Sequence, residues 1–185
     1  MRLGAGELLG AARSGFDVRA AAHRVSPALV LLPPEYEDDG VATLVWKQRR
    51  PLHPARLYQA LEQLVPAAQR SRGRFWLANR PGVMLAWDAA GGSLAVQECG
   101  PWLACLPDEE WELYTPERRV AAAAEWDMRS GDRIQLLAFT AQDLDTGGIR
   151  ELLDSCLLTD AELAAGEASW KTMPDAFGEL LDPVS

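Results

Sequence analysis

Lysine is nearly missing from this chain: of its 18 basic residues only Lys47 and Lys171 are lysines, and neither follows a glycine. A P-loop needs a Gly-Lys-Ser/Thr step, because an ammonium must reach the phosphates beneath a cradle of backbone N–H groups. A nucleotide-hydrolysing P-loop is therefore excluded. Gly91-Gly92 and Gly147-Gly148 lack the G-x-G-x-x-G spacing of a dinucleotide fold, and Gly4-x-Gly6 has neither the third glycine nor a strand before it. The three cysteines, Cys99, Cys105 and Cys156, and the histidines His23 and His53 form no C-x-C, C-x-x-C or H-x-x-x-H. Those are the spacings that close a zinc site or a redox pair, so no metal ligand set is expected. G-x-S-x-G, the elbow of a serine nucleophile, is absent too, and no catalytic residue is assigned. An odd cysteine count in 185 residues argues against a disulfide framework and suits a reducing compartment. No apolar run approaches the ~20 residues that cross a bilayer, and no signal-type segment follows Met1. A soluble, cytoplasmic protein without membrane contact is expected.

What is present is the composition of a globular protein, 48% hydrophobic and 24% charged. The net charge of −9 hides an asymmetry. Residues 1–100 hold 12 Lys+Arg against 9 Asp+Glu, a net of +3, whereas residues 101–185 hold 6 against 18, a net of −12. The halves carry opposite fields.

Residues 1–40 read as a helical arm, broken near Ser14-Gly15 and ending in the Pro- and acid-rich linker Pro33 to Gly40. Residues 41–185 read as the globular domain. Val41 to Trp46 has the two-residue period and β-branched content of a strand. His53-Pro54 opens a helix bearing Leu57, Ala60, Leu61 and Leu64. Arg74 to Asn79, Val83 to Trp87 and Ser93 to Gln97 read as a meander of antiparallel strands. Thr115-Pro116-Glu117 starts a helix running to Trp126, and Ile134 to Phe139 is a central strand. Thr146 caps a helix with Ile149, Leu152, Leu153 and Cys156 on one face, and Thr159 with Glu162 forms a capping box for another. The tail from Met173 reads as an extended cover. The order β-α-β-β-β-α-β-α-α predicts an α+β fold: a mainly antiparallel sheet of about five strands with helices packed on it. Of the seven tryptophans, Trp102 and Trp111 beside the acidic loop are the ones expected to be exposed, and the others to be core.

Four segments carry a family resemblance. Arg50-Pro51-Leu52-His53-Pro54-Ala55-Arg56-Leu57 is similar to R-P-F-H-P-x-R-L, and Arg70-Ser71-Arg72-Gly73-Arg74-Phe75-Trp76-Leu77-Ala78 to R-x-K-G-x-x-W-L-A. Gly131-Asp132-Arg133-Ile134-Gln135 is similar to G-D-R-x-Q, and Leu153 to Glu162 to L-D-x-C-L-L-T-D-x-E. In this order they resemble the C-terminal domain of the CobW family of GTPases and metallochaperones over Val41 to Phe177, and the arm resembles the exit from that family's GTPase domain. Arg72, Leu136 and Ala141 depart from the usual Lys, Glu and Gly. The resemblance implies a domain without catalysis of its own, in a system for metal delivery (zinc or cobalt) or cobalamin synthesis. GTP, Mg²⁺ and the metal would belong to a GTPase domain outside this sequence, so no cofactor is expected here. The implied partners are that GTPase domain, in cis or in trans, and a client metalloprotein.

The conspicuous cluster is basic: Lys47, Arg49, Arg50, Arg56, Arg70, Arg72, Arg74 and Arg80 face only Glu62 over residues 47–80. Interleaved with Trp46, Phe75 and Trp76, they are the candidate interaction residues. They could dock an acidic protein or, in a standalone module, bind RNA or a ribosomal surface by phosphate contacts and stacking. The alternative is that they are solvated or paired with the acidic second half of the chain.

Overall fold

Two-residue alternation of inward and outward side chains builds six strands: β1 (Tyr36–Asp38), β2 (Val41–Gln48), β3 (Arg70–Phe75), β4 (Val83–Ala90), β5 (Ser93–Pro101) and β6 (Gln135–Gln142). The computed structural model of the protein describes Leu32 and residues 34–181. The strands form one sheet in the order β1-β2-β6-β3-β4-β5, antiparallel throughout. Helix α1 (Pro54–Leu64) carries the chain from β2 across β6 to β3. After β5 come the short 3-10 turns Leu103–Cys105 and Asp108–Leu113, then α2 (Pro116–Ala124), which returns the chain to β6 at the sheet centre. Helices α3 (Thr146–Ser155), α4 (Asp160–Ala164), α5 (Gly166–Trp170) and α6 (Gly178–Leu181) follow. No helix among the described residues is long and apolar enough to cross a membrane.

The main core lies on one face of the sheet. Leu44 and Trp46 of β2, Leu137 and Phe139 of β6, Phe75 of β3 and Trp87 of β4 pack against Leu57 and Leu64 of α1 and Leu153 of α3, all fully buried. Each such side chain contributes roughly 1.5–3 kcal/mol of transfer free energy. The polar ends of these residues are satisfied: Trp87 Nε1 donates to Ser71 Oγ at 2.8 Å, and Trp46 Nε1 to Asp154 Oδ1 at 2.8 Å. A smaller cluster of Trp76, Met84, Trp102, Ile134, Leu158 and Trp170 fills one end of the opposite face.

The α+β class and the antiparallel sheet are as expected, with one strand more. That strand, β1, lies in the acidic stretch read as linker. Asp39 and Gly40 take φ of +48° and +79°, the backbone of a two-residue Asp-Gly hairpin turn that returns Tyr36–Asp38 along Val41–Thr43. Strand β3 begins four residues before the expected Arg74, because Arg70, Arg72 and Arg74 alternate with the inward Ser71, Gly73 and Phe75. Inward residues as small as Ser and Gly carry little apolar signal. The N-cap of α3 is Asp145, whose side chain accepts from Gly148 N, rather than Thr146. Thr159 and Glu162 do form the capping box of α4. Trp102, expected at the surface, is 1% exposed because its indole N–H finds the Val83 carbonyl at 3.0 Å; Trp126 is the exposed one, at 46%. The tail covers the core as expected, but through buried Phe177 and a turn of helix. The arm expected over 1–40 falls, through residue 31 and at Pro33, outside the described residues.

Candidate interaction surface

The first and fourth motifs interlock. His53 N donates to Cys156 O at 2.8 Å and Leu158 N to Pro51 O at 3.0 Å, so the two segments run side by side. Pro54 occupies the first turn of α1, where a missing N–H costs nothing, and His53 Nδ1 caps it by accepting from Arg56 N. Arg56 then reaches over this joint. Its two terminal nitrogens donate to both carboxylate oxygens of Glu162, at 3.0 and 2.7 Å, and one also donates to Leu157 O at 2.9 Å. Arg50 does the same next door, to Leu158 O at 2.8 Å and Asp160 Oδ1 at 2.7 Å. The Arg56 bonds, aided by the Thr159 N–H, hold the Glu162 carboxyl down to about 2. Its folded value thus lies below its unfolded one, so the stabilisation from this pair is present above the ordinary carboxylate range and is lost as pH falls toward 2. Burial lowers the basicity of His53, which favours the neutral, cap-accepting imidazole.

The second and third motifs form the same joint from the other side. Gln135, fully buried, accepts from Trp76 N at 3.0 Å and donates to Trp76 O and Arg50 O, both at 3.0 Å. It thereby ties the exits of β2 and β3 to the start of β6. Asp132 accepts from Leu103 N, Ala104 N and Arg118 Nη2, at 3.1, 3.0 and 3.0 Å. Arg133 lies over the Trp76 ring, 4.9 Å from its centroid, and pairs with Glu167. The residues of the four motifs therefore hold one another. Their side chains converge on backbone groups and buried rings, and beside them Arg56, Ser155 and Cys156 line only a shallow open groove with Gln59, Gln63 and Leu152.

The eight basic candidates separate by what they touch. Arg50 and Arg56 belong to the joint. Arg80 bonds Glu98 and Asp175 and fastens the tail; its bonds hold the Asp175 carboxyl below the usual range. Lys47 and Arg49 both reach Glu125 at the end of α2, at 2.8 and 3.3 Å. Arg70 pairs with Asp88. Arg74 is half-buried beneath Glu125, Arg118 and Asp132, and burial lowers its pKa from the usual guanidinium value. The Arg72 side chain has no ion-pair or hydrogen-bond partner among the described residues.

Strand register brings four of the eight onto a single surface. Lys47 is paired with Leu136 and Leu136 with Arg74; Arg72 stands beside Ala138 and Asp88, and Arg70 beside Thr140. This face is the reverse of the one holding the main core. Around the arginine column its floor is small: Thr43, Val45, Ala138, Thr140 and Ala95. Thr43 and Thr140 join hydroxyls at 2.8 Å across the strands. The sequence showed the arginines but not this floor, since Thr43 and Thr140 lie 97 residues apart. It also suggested aromatic residues among the arginines, and here alternation intervenes: Trp46 and Phe75 point into the main core, away from Lys47 and Arg74.

Among the described residues no three of His, Cys, Asp and Glu come together to hold a metal ion. Cys156 is buried, and burial pushes its thiol up, away from the thiolate that attacks carbon or binds zinc.

The family described as cobalamin synthesis protein CobW C-terminal domain matches residues 41–157. Over 157 residues, 85% of this chain, the sequence is 37% identical to a protein of Mycobacterium tuberculosis named as a zinc chaperone. It is 32% identical, over 77% of the chain, to the zinc-regulated GTPase metalloprotein activator 1 of Dictyostelium discoideum. The matched stretch spans 39% and 30% of those two proteins, so the chain covers well under half the length of the curated relatives it matches. The crystal structure of the Zn(II)-bound YjiA GTPase from E. coli aligns with a TM-score of 0.49 at 14% identity, over 70% of this chain and 35% of that one.

Proposed function

This chain belongs to the family of CobW C-terminal domains, and from that premise we propose that it is the interaction domain of a GTP-dependent metal chaperone, making contacts to a client or to a GTPase domain and performing no chemistry itself. The observation that carries this is the use made of the four motifs: Arg50, His53, Arg56, Asp132, Gln135 and Glu162 are spent on one another and on backbone groups. A domain whose most characteristic polar residues are engaged with one another acts through its shape and its remaining surface. Zinc delivery is the reading the named relatives favour, with zinc and nucleotide handled by a GTPase domain. RNA or ribosome binding loses its ground, because Trp46 and Phe75 lie on the other face of the sheet from the arginines and Trp76, though on their side, is buried.

Calorimetric titration of the purified chain with Mg²⁺–GTP and, separately, with Zn²⁺ tests this. No heat of binding is expected at micromolar ligand. A micromolar dissociation constant for GTP would show a nucleotide site within the chain and overturn the reading.

A further inference from the structure

We propose that the open sheet face around Arg72 docks an acidic amphipathic helix of a partner protein. This deepens the reading of the chain as an interaction domain and rests on it.

The charge of this face is opposite to that of the molecule. Lys47, Arg70, Arg72 and Arg74 stand there against the carboxylates of Asp38, Asp88 and Glu125, so the face is net positive on a chain of net charge −9. Lys47 and Arg70 keep about half of their side-chain surface exposed, at 51% and 46%, and the Arg72 side chain has no partner among the described residues. A guanidinium on a central strand, without a counter-ion among the described residues and beside a carboxylate already committed to Arg70, is available to an incoming acid at little desolvation cost.

The floor decides what shape brings that acid. Val45 and Thr140 stand partly exposed beside the arginine column, with Thr43 and Ala138 buried at 2% between them, a row of small side chains that leaves room for a helix along the strands. Residues two apart on a strand repeat at about 6.7 Å. Residues four apart on a helix repeat at about 6 Å. Glutamates at i, i+4 and i+8 of a helix lying along the strands therefore match the spacing of Arg70, Arg72 and Arg74, while an adjoining apolar stripe rests on Val45 and the Thr140 methyl. A polynucleotide fits less well: Tyr36, exposed beside Thr43 on the edge strand, is separated from the arginines of β3 by β2 and β6, and the acidic remainder of the chain opposes a long polyanion.

The test uses the full chain and a synthetic, end-capped helical peptide with glutamates at i, i+4 and i+8 beside a stripe of leucine and alanine. Controls are the same peptide with glutamines, the same peptide with lysines, and an oligouridylate of matched charge. Binding is followed by fluorescence anisotropy. The glutamate peptide is expected to bind the parent chain, to lose at least tenfold in affinity on Arg72→Glu, and to weaken with salt. The lysine peptide is expected to prefer Arg72→Glu over the parent. Arg72→Gln, which removes the charge without reversing it, gives an intermediate loss and serves if the reversal does not fold. The proposal is overturned if glutamate and glutamine peptides bind alike, if neither Arg72 variant changes the affinity, or if the oligouridylate binds more tightly than the peptide. These outcomes are independent of the GTP titration: nucleotide binding would refute the functional reading and leave the peptide result standing, and the reverse also holds.

Discussion

Replacing Asp132 by Ala is expected to cost about 3–5 kcal/mol, the range for breaking a buried ion pair from one side. The Asp132–Arg118 pair is almost wholly out of water, with side-chain exposures of 1% and 9%. Alanine would leave the guanidinium without its counter-charge and the N–H groups of Leu103 and Ala104 without an acceptor. Arg118→Met should cost much less, since Asp132 keeps its two backbone donors while the aliphatic stem is replaced in kind. Urea unfolding of the two single variants and the double variant measures this directly. The double variant is expected to be more stable than the sum of the two losses implies, because removing Arg118 takes away the charge that Asp132→Ala strands. Strict additivity would show that the pair is not coupled.

Gly73→Ala should be comparably damaging, for a reason of space. A Cβ built on Gly73 would lie 2.0 Å from the Leu136 carbonyl oxygen and 2.9 Å from Leu137 Cα, and the residue has φ of +154°. The obstacle is backbone in the middle of the sheet, where β3 pairs with β6 on one side and β4 on the other. No side chain can swing aside to relieve it. Positive-φ strain of about 1–3 kcal/mol and overpacking of about 1–3 kcal/mol act together. A fall in melting temperature of at least ~4 °C follows, taking 2–4 °C per kcal/mol for a chain of this size. A variant that melts within 2 °C or so of the parent would show that the two strands can separate locally without penalty.

Much of this architecture was open to reading from residues alone, where the signal is local. Pro54 after a capping His53, the Thr159–Glu162 box and the alternation of Val41 to Trp46 each specify their element within a few positions. Signals that cancel were missed. In β1 the acids of an exposed edge strand outweigh a two-residue hairpin turn, and in β3 small inward residues mask the alternation. The arginines were visible as a cluster, but their separation into roles was not, because their partners are remote: Arg56 meets Glu162 across 106 residues and Arg50 meets Asp160 across 110. Sequence proximity also misled in one respect. Neighbours in a strand such as Phe75 and Arg74 point to opposite faces, so interleaving along the chain becomes separation in space.

The central claim is that the basic residues divide into those that hold the domain together and those that face a partner. Thermal melting of Arg56→Ala and Arg72→Ala, measured in parallel at neutral pH and low salt, examines it most directly. Loss of the two-pronged Arg56–Glu162 bond and its carbonyl contact is expected to cost about 1–2 kcal/mol, or roughly 3–6 °C. Arg72→Ala, which removes an outward guanidinium with no partner among the described residues, is expected to melt within about 1 °C of the parent, in keeping with surface substitutions. Equal losses in the two variants, or a larger one for Arg72→Ala, would contradict the division.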